Sequence, residues 1–95
     1  MRVVHCKREP FTVYIGRPHR SIPQEQWGPF GNPIFMKREE DRQDVLERFE
    51  IHARQNCELL DAIEKLSIKD VLGCWCAPRP CHGDIIIKLW RLLHE

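Results

Sequence analysis

The residues best suited to chemistry crowd into Cys74-Trp75-Cys76-Ala77-Pro78-Arg79-Pro80-Cys81-His82-Gly83-Asp84, where three thiols, an imidazole and a carboxyl share eleven positions. Three kinds of chemistry compete for them. As a metal set, Cys74, Cys76, Cys81 and His82 are soft donors suited to zinc or an iron–sulfur cluster. The spacing suits this poorly, because zinc knuckles separate paired cysteines by about two to four residues. On a strand, Cys74 and Cys76 would share a face roughly 6–7 Å apart, and adjacent Cys81 and His82 need irregular backbone to meet one ion. As a nucleophile, Cys81 stands at the entry to a helix, where the macrodipole, Arg79 and His82 favour the thiolate, with His82 or Asp84 as acid/base. As an anion cradle, the same N–H groups would hold a phosphate or carboxylate, with Gly83 allowing close approach. Against all three, free cysteine is among the most buried residue types, so Cys74 and Cys76 also fit as small core side chains. Cys6 and Cys57 stand apart and read as packing.

A second candidate is Gly16-Arg17-Pro18, where Gly turns the chain at a strand end and Arg17 is placed to grip an anion in bidentate fashion. A solvated surface arginine is the plainer alternative. Trp27, Phe30, Gly31 and Asn32 offer aromatic surface for stacking and an amide that can read a base. They serve equally as aromatics that pin a loop to the core. Arg2, His5, Lys7 and Arg8 form a small basic cluster that reads as a solvated edge first and a phosphate patch second.

The elements that must position these groups follow from periodicity and turn residues. Val3–Cys6 is a short β-branched strand stopped by Pro10, and Phe11–Ile15 is a second strand stopped by Gly16-Arg17-Pro18. Residues 16–33, rich in Pro and Gly, form a long ordered loop. A helix begins at Asp41, with Asp41 or an earlier acid as its cap and Val45, Leu46, Phe49 and Ala53 on one face. Another spans Glu58–Leu66, a buried strand runs from Lys69 to Cys76, and a closing helix covers Asp84–His94. The last strand can pair parallel to the second through the helical crossover. The expected architecture is a single α/β domain over residues 1–95: a small Rossmann-like three-layer unit with a short, mostly parallel sheet and a long loop after the second strand. Ligands in such sheets sit beyond the carboxyl ends of the strands, where Gly16-Arg17 and the cysteine turn both fall.

Length and composition narrow the classes further. Ninety-five residues hold one core, and a net charge of +1 with 42% hydrophobic residues disfavours a polybasic nucleic-acid binder or a disordered chain. Five cysteines, an odd number, without an apolar N-terminal stretch suited to a signal peptide, point to a reduced cytoplasmic setting. The apolar segment Ile85–Leu93 is interrupted by Lys88 and Arg91 and falls far short of the ~20 residues of a membrane helix.

Val-Val-His-Cys-Lys-Arg-Glu-Pro at 3–10, Val-Tyr-Ile-Gly-Arg-Pro at 13–18, Gly-Asn-Pro at 31–33 and Leu-Gly-Cys-Trp-Cys-Ala-Pro-x-Pro-Cys-His-Gly-Asp at 72–84 together resemble domain of unknown function 4326, a family of small phage and bacterial proteins. The resemblance implies a phage or bacterial accessory protein and no established reaction. It marks Tyr14, Gly16, Arg17, Gly31, Asn32, Cys74, Cys76, Cys81, His82, Gly83 and Asp84 as motif positions. Thr12 stands where members often carry an acid, and Ser21–Gly28 lengthens the segment before Gly-Asn-Pro. Together these residues lead to an expected pocket for a nucleotide or related phosphorylated small molecule. Arg17 and the N–H groups near Gly83 would hold the anion, and Tyr14, Trp27 or Trp75 would stack on a base. The competing expectation is a non-enzymatic module that binds a host protein, with or without zinc.

Overall fold

In the computed structural model, which describes residues 1–95, the β-branched run near the N-terminus forms β1 (Arg2–His5) and the Val-Tyr pair after Phe11 forms β2 (Val13–Tyr14). The third strand, β3 (Val71–Cys74), lies between them in the order β1-β3-β2, parallel to both. Its register pairs Val4 with Gly73 and His5 with Cys74 on one side, and Val13 with Leu72 and Tyr14 with Gly73 on the other. The expected pairing of the second and last strands is therefore present, as is the small parallel sheet. Cys76 lies beyond the strand rather than on it.

Alternation of side chains gives the sheet two different faces. Leu72, Cys74 and Ile15 point into the main core with Phe49, Ala53, Leu59, Ile63, Ile86 and Leu89. These come from α1 (Arg42–Arg54), α2 (Cys57–Glu64) and α3 (His82–Leu93), which all touch one another. The other face carries Tyr14, Cys6, Ile22 and Phe11. Its packed side chains come from no α-helix, and the segment over it holds only loop and a 3₁₀ turn (Gln24–Gln26), a departure from the helical outer layer of a Rossmann-like unit. The physical reason is chain length. Residues 6–12 alone link β1 to β2, too few for a helical crossover, so this connection passes directly over β3. There Phe11 lies against Gly73, where an added Cβ would sit 2.6 Å from Phe11 Cγ.

The helices carry the apolar faces that their spacing predicts, with adjusted ends. Asp41 precedes α1 at the close of a 3₁₀ turn (Glu39–Asp41), and its side chain makes no cap bond. Asn56 caps α2 by accepting from the Leu59 N–H at 3.1 Å. The closing helix begins two residues earlier than its apolar spacing suggests, at His82. Trp90 Nε1 donates to the Leu66 carbonyl at 2.7 Å, fastening α3 to the end of α2. Lys88 reaches both carboxylate oxygens of Glu50 and joins α3 to α1. The Thr12 hydroxyl lies 2.8 Å from Asp70 and accepts the Val71 N–H at 2.9 Å, tying the start of β2 to β3.

Candidate functional site

The carboxyl ends of β2 and β3 open into a cavity of about 290 Å³. Its wall includes Gly16, Arg17, Asn32, Cys74, Trp75, Cys76, Cys81 and His82, so most of the expected site residues do converge. Arg42, with Ile34, Met36, Val45 and Leu46, completes it.

The cysteine turn owes its shape to helix capping. Cys81 is the N-cap of α3: its sulfur accepts the Gly83 N–H at 3.3 Å, while Asp84 accepts the Cys81 N–H at 3.0 Å. This reciprocal pair is a capping box in which a thiol replaces the usual hydroxyl. Asp84 is thereby committed to the backbone and does not line the cavity. Gly83 is packed inward, where a Cβ would meet Val3 and Ile15 at 2.7–2.8 Å. It permits close approach of helix to sheet rather than of a ligand.

Cys74 and Cys81 Sγ lie 3.3 Å apart, both buried. The hydrogen bond with Cys74 is the main influence holding the Cys81 pKa below the ordinary thiol value; burial opposes it and the Gly83 N–H assists. For Cys74, hydrogen bonding with Cys76 pulls downward, but Cys81 and burial prevail and push it up to about 11. The Cys76 thiol is raised by Cys74 and burial against the pull of Arg42. The backbone N–H of Cys76 donates to the Cys74 sulfur at 3.3 Å, and of the three thiols only Cys81 has its pKa lowered.

His82 is buried, with Nε2 2.8 Å from the Ile15 carbonyl and its ring edge-on to Phe49 at 5.1 Å. A carbonyl only accepts, so Nε2 carries the hydrogen. Burial lowers its pKa, outweighing the carbonyls of Ile15 and Phe30. The imidazole thus fastens α3 to the end of β2. The expected Cys3His set is not assembled, and no group of three or more His, Cys, Asp or Glu side chains has the geometry to hold an ion.

The two arginines face the cavity from different elements. Arg17 donates through Nε to the Asn32 carbonyl at 2.6 Å and through a terminal nitrogen to the Ile34 carbonyl at 3.0 Å. Its guanidinium carbon lies 4.0 Å from the Phe35 ring centroid. It therefore holds the loop that forms one wall. Asn32 Oδ1 accepts the Ile34 N–H at 2.9 Å in the same turn. Gly31 allows this loop to lie against the strand end, since a Cβ there would be 3.3 Å from Gly16 O and Arg17 Cα. Arg42 grips both oxygens of Glu39 at 2.8 and 2.9 Å and donates to the Pro80 carbonyl at 2.6 Å. The spacing of the sequence assigns Arg42 to a charged solvent face, yet only 14% of its side chain is exposed. One signal was available: a cation in the first turn of a helix opposes the macrodipole and calls for a local reason.

Two expected stacking residues are elsewhere. Tyr14 lies on the opposite face of the sheet, where its hydroxyl donates to the Arg17 carbonyl at 2.6 Å and accepts from Trp75 Nε1 at 2.7 Å. It acts as a bracket for Trp75 and the Gly16 turn. A Cβ on Gly16 would run into the Tyr14 ring. Trp27 bonds the Ile22 carbonyl at 3.0 Å and lies away from the cavity, and Phe30 is buried in the main core. Trp75 alone of the expected aromatics reaches the cavity, with His19 against it at 4.6 Å between ring centroids. Cys6 is buried on the loop face and Cys57 is exposed at the start of α2.

Fold and site define a small parallel α/β domain with a ligand-sized cavity at the carboxyl edge of its sheet. Over residues 2–92 the sequence matches the family model described as Domain of unknown function (DUF4326), and the chain belongs to that family. No curated protein and no solved structure matches it.

Proposed function

We propose that the cavity binds a small phosphorylated molecule of about mononucleotide size. The observation that carries this reading is that Arg17 from the β2 turn and Arg42 from the start of α1 both line one cavity at the carboxyl edge of a parallel sheet, each with guanidinium N–H donors beyond those that bond Asn32, Ile34, Glu39 and Pro80. About 290 Å³ is at the small end for ligand pockets. Ile34, Met36, Val45, Leu46 and Trp75 supply the apolar surface against which a base would lie. His82 and Asp84 are tied to backbone groups, which leaves Cys81 as the nucleophile for any covalent step.

Differential scanning fluorimetry and calorimetry with nucleoside mono-, di- and triphosphates, nucleotide sugars and pyrophosphate test the reading. At least one should raise Tm progressively with the logarithm of its concentration, and Arg42→Gln should weaken its binding about 10-fold or more. Absence of any response at millimolar ligand refutes it. The competing reading, a protein-binding module, is favoured by Phe35, 73% exposed between two residues that line the cavity. One stoichiometric partner whose capture is abolished by Phe35→Ser, with no small-molecule response, would select that reading instead.

A further inference from the structure

We propose that Cys81 and Cys74 are a peroxide-reactive dithiol: a hydroperoxide entering the cavity oxidises Cys81, and Cys74 then closes it into a buried disulfide. The inference rests on geometry and holds whether or not the cavity also takes a phosphorylated ligand. The two sulfurs are 3.3 Å apart and approach from different elements, Cys74 at the end of β3 and Cys81 at the cap of α3. Both line the cavity, which gives a small neutral oxidant a route to otherwise buried thiols. Each sulfur accepts one backbone N–H at 3.3 Å, Cys74 from Cys76 and Cys81 from Gly83, so that bond does not choose between them. Cys81 stands at the head of α3, where the helix dipole favours negative charge, and this marks it as the sulfur attacked first. Cys74 is placed as the resolving thiol.

The steps balance. The Cys81 thiolate attacks one peroxide oxygen and the O–O bond breaks. The leaving hydroxide (alkoxide for an organic peroxide) takes a proton, and Cys81 is left as a sulfenic acid. The Cys74 sulfur, losing its proton, then attacks the Cys81 sulfur. The S–O bond breaks and hydroxide departs as water with that proton. Two thiols are oxidised by two electrons in total and one peroxide is reduced by two. Cys76 is a nearby third thiol that the scheme leaves reduced, as it does Cys6 and Cys57.

The test uses the full chain, reduced, treated with one equivalent of hydrogen peroxide and quenched by alkylation. Titratable thiols should fall from five to three. Peptide mapping after cleavage at Trp75 should find Cys74 covalently linked across the cut, with loss of two hydrogen atoms and fragment ions that place the partner sulfur at Cys81, and dithiothreitol should restore all the thiols. Cys76→Ser should retain the bridge. Cys81→Ser should abolish it while remaining folded, because a serine hydroxyl caps a helix well. A Cys74–Cys76 link, a sulfinic acid at Cys81 without a bridge, or a wild-type protein that keeps five thiols would each overturn the proposal.

Discussion

At the scale of single residues, the site is built from groups that serve the backbone and the cavity together. Cys81 caps a helix and presents its sulfur to the cavity. His82 lines the cavity but is held neutral by burial and donates to Ile15. Its titration gives a pH prediction with a definite sign. The folded-state pKa lies below the unfolded value of about 6.5, so between the two the unfolded chain binds more protons. Stability is therefore full above pH 6.5 and declines as the pH falls toward the folded pKa. Glu39 and Glu50 add a separate loss below 4.5, because Arg42 and Lys88 respectively hold their pKa values down. Urea denaturation across this range should show the first decline in the wild type and lose it in His82→Gln, while the acid limb remains. An unchanged profile in His82→Gln would remove His82 as its cause.

At the scale of elements, the β1–β2 connection is the most constrained feature. A link restricted to residues 6–12 has to lie flat on β3, and Gly73 makes room for Phe11. Gly73→Ala should cost about 1–3 kcal/mol by overpacking, measured as a lower urea midpoint with unchanged m-value. Phe11→Leu should relieve part of that cost in the double variant, and the coupling is read from a double-mutant cycle. Additive losses would show that Phe11 is not what Gly73 accommodates. The same constraint explains the missing helical third layer. Propensity and turn residues locate the strands, but only the number of residues between them decides whether the crossing can be a helix.

Across the whole molecule, the cavity depends on a loop that has little regular structure of its own. Arg17 substitutes for secondary structure by taking the carbonyls of Asn32 and Ile34. Arg17→Ala should leave the three helices intact and raise amide hydrogen exchange over residues 31–36 about 10-fold or more. Arg17→Lys should protect this segment less well than arginine, since one ammonium cannot reproduce the planar fork. Equal protection in all three proteins would show that the loop is held by its apolar contacts instead.

Much of this was legible in the chain itself. Apolar spacing locates α1, α2 and α3 because helical periodicity is a property of local covalent geometry. The β-branched runs locate the strands to within about two residues, and the Cys-x-Cys…Cys-His-Gly-Asp stretch marks the strand-to-helix turn at the ligand edge. The resemblance agrees with the family match over residues 2–92. What only the tertiary structure decided is where each polar group spends its hydrogen bonds. Arg17 holds a loop, Asp84 completes a cap, Tyr14 turns to the far face, and Arg42 leaves the solvent face for the cavity. The meeting of Cys74 with Cys81, in place of a four-ligand cluster, belongs to the same class. These outcomes depend on strand register and on contacts between residues as far apart as His82 and Ile15. Residue type sets the available donors and acceptors, and packing selects which of them meet.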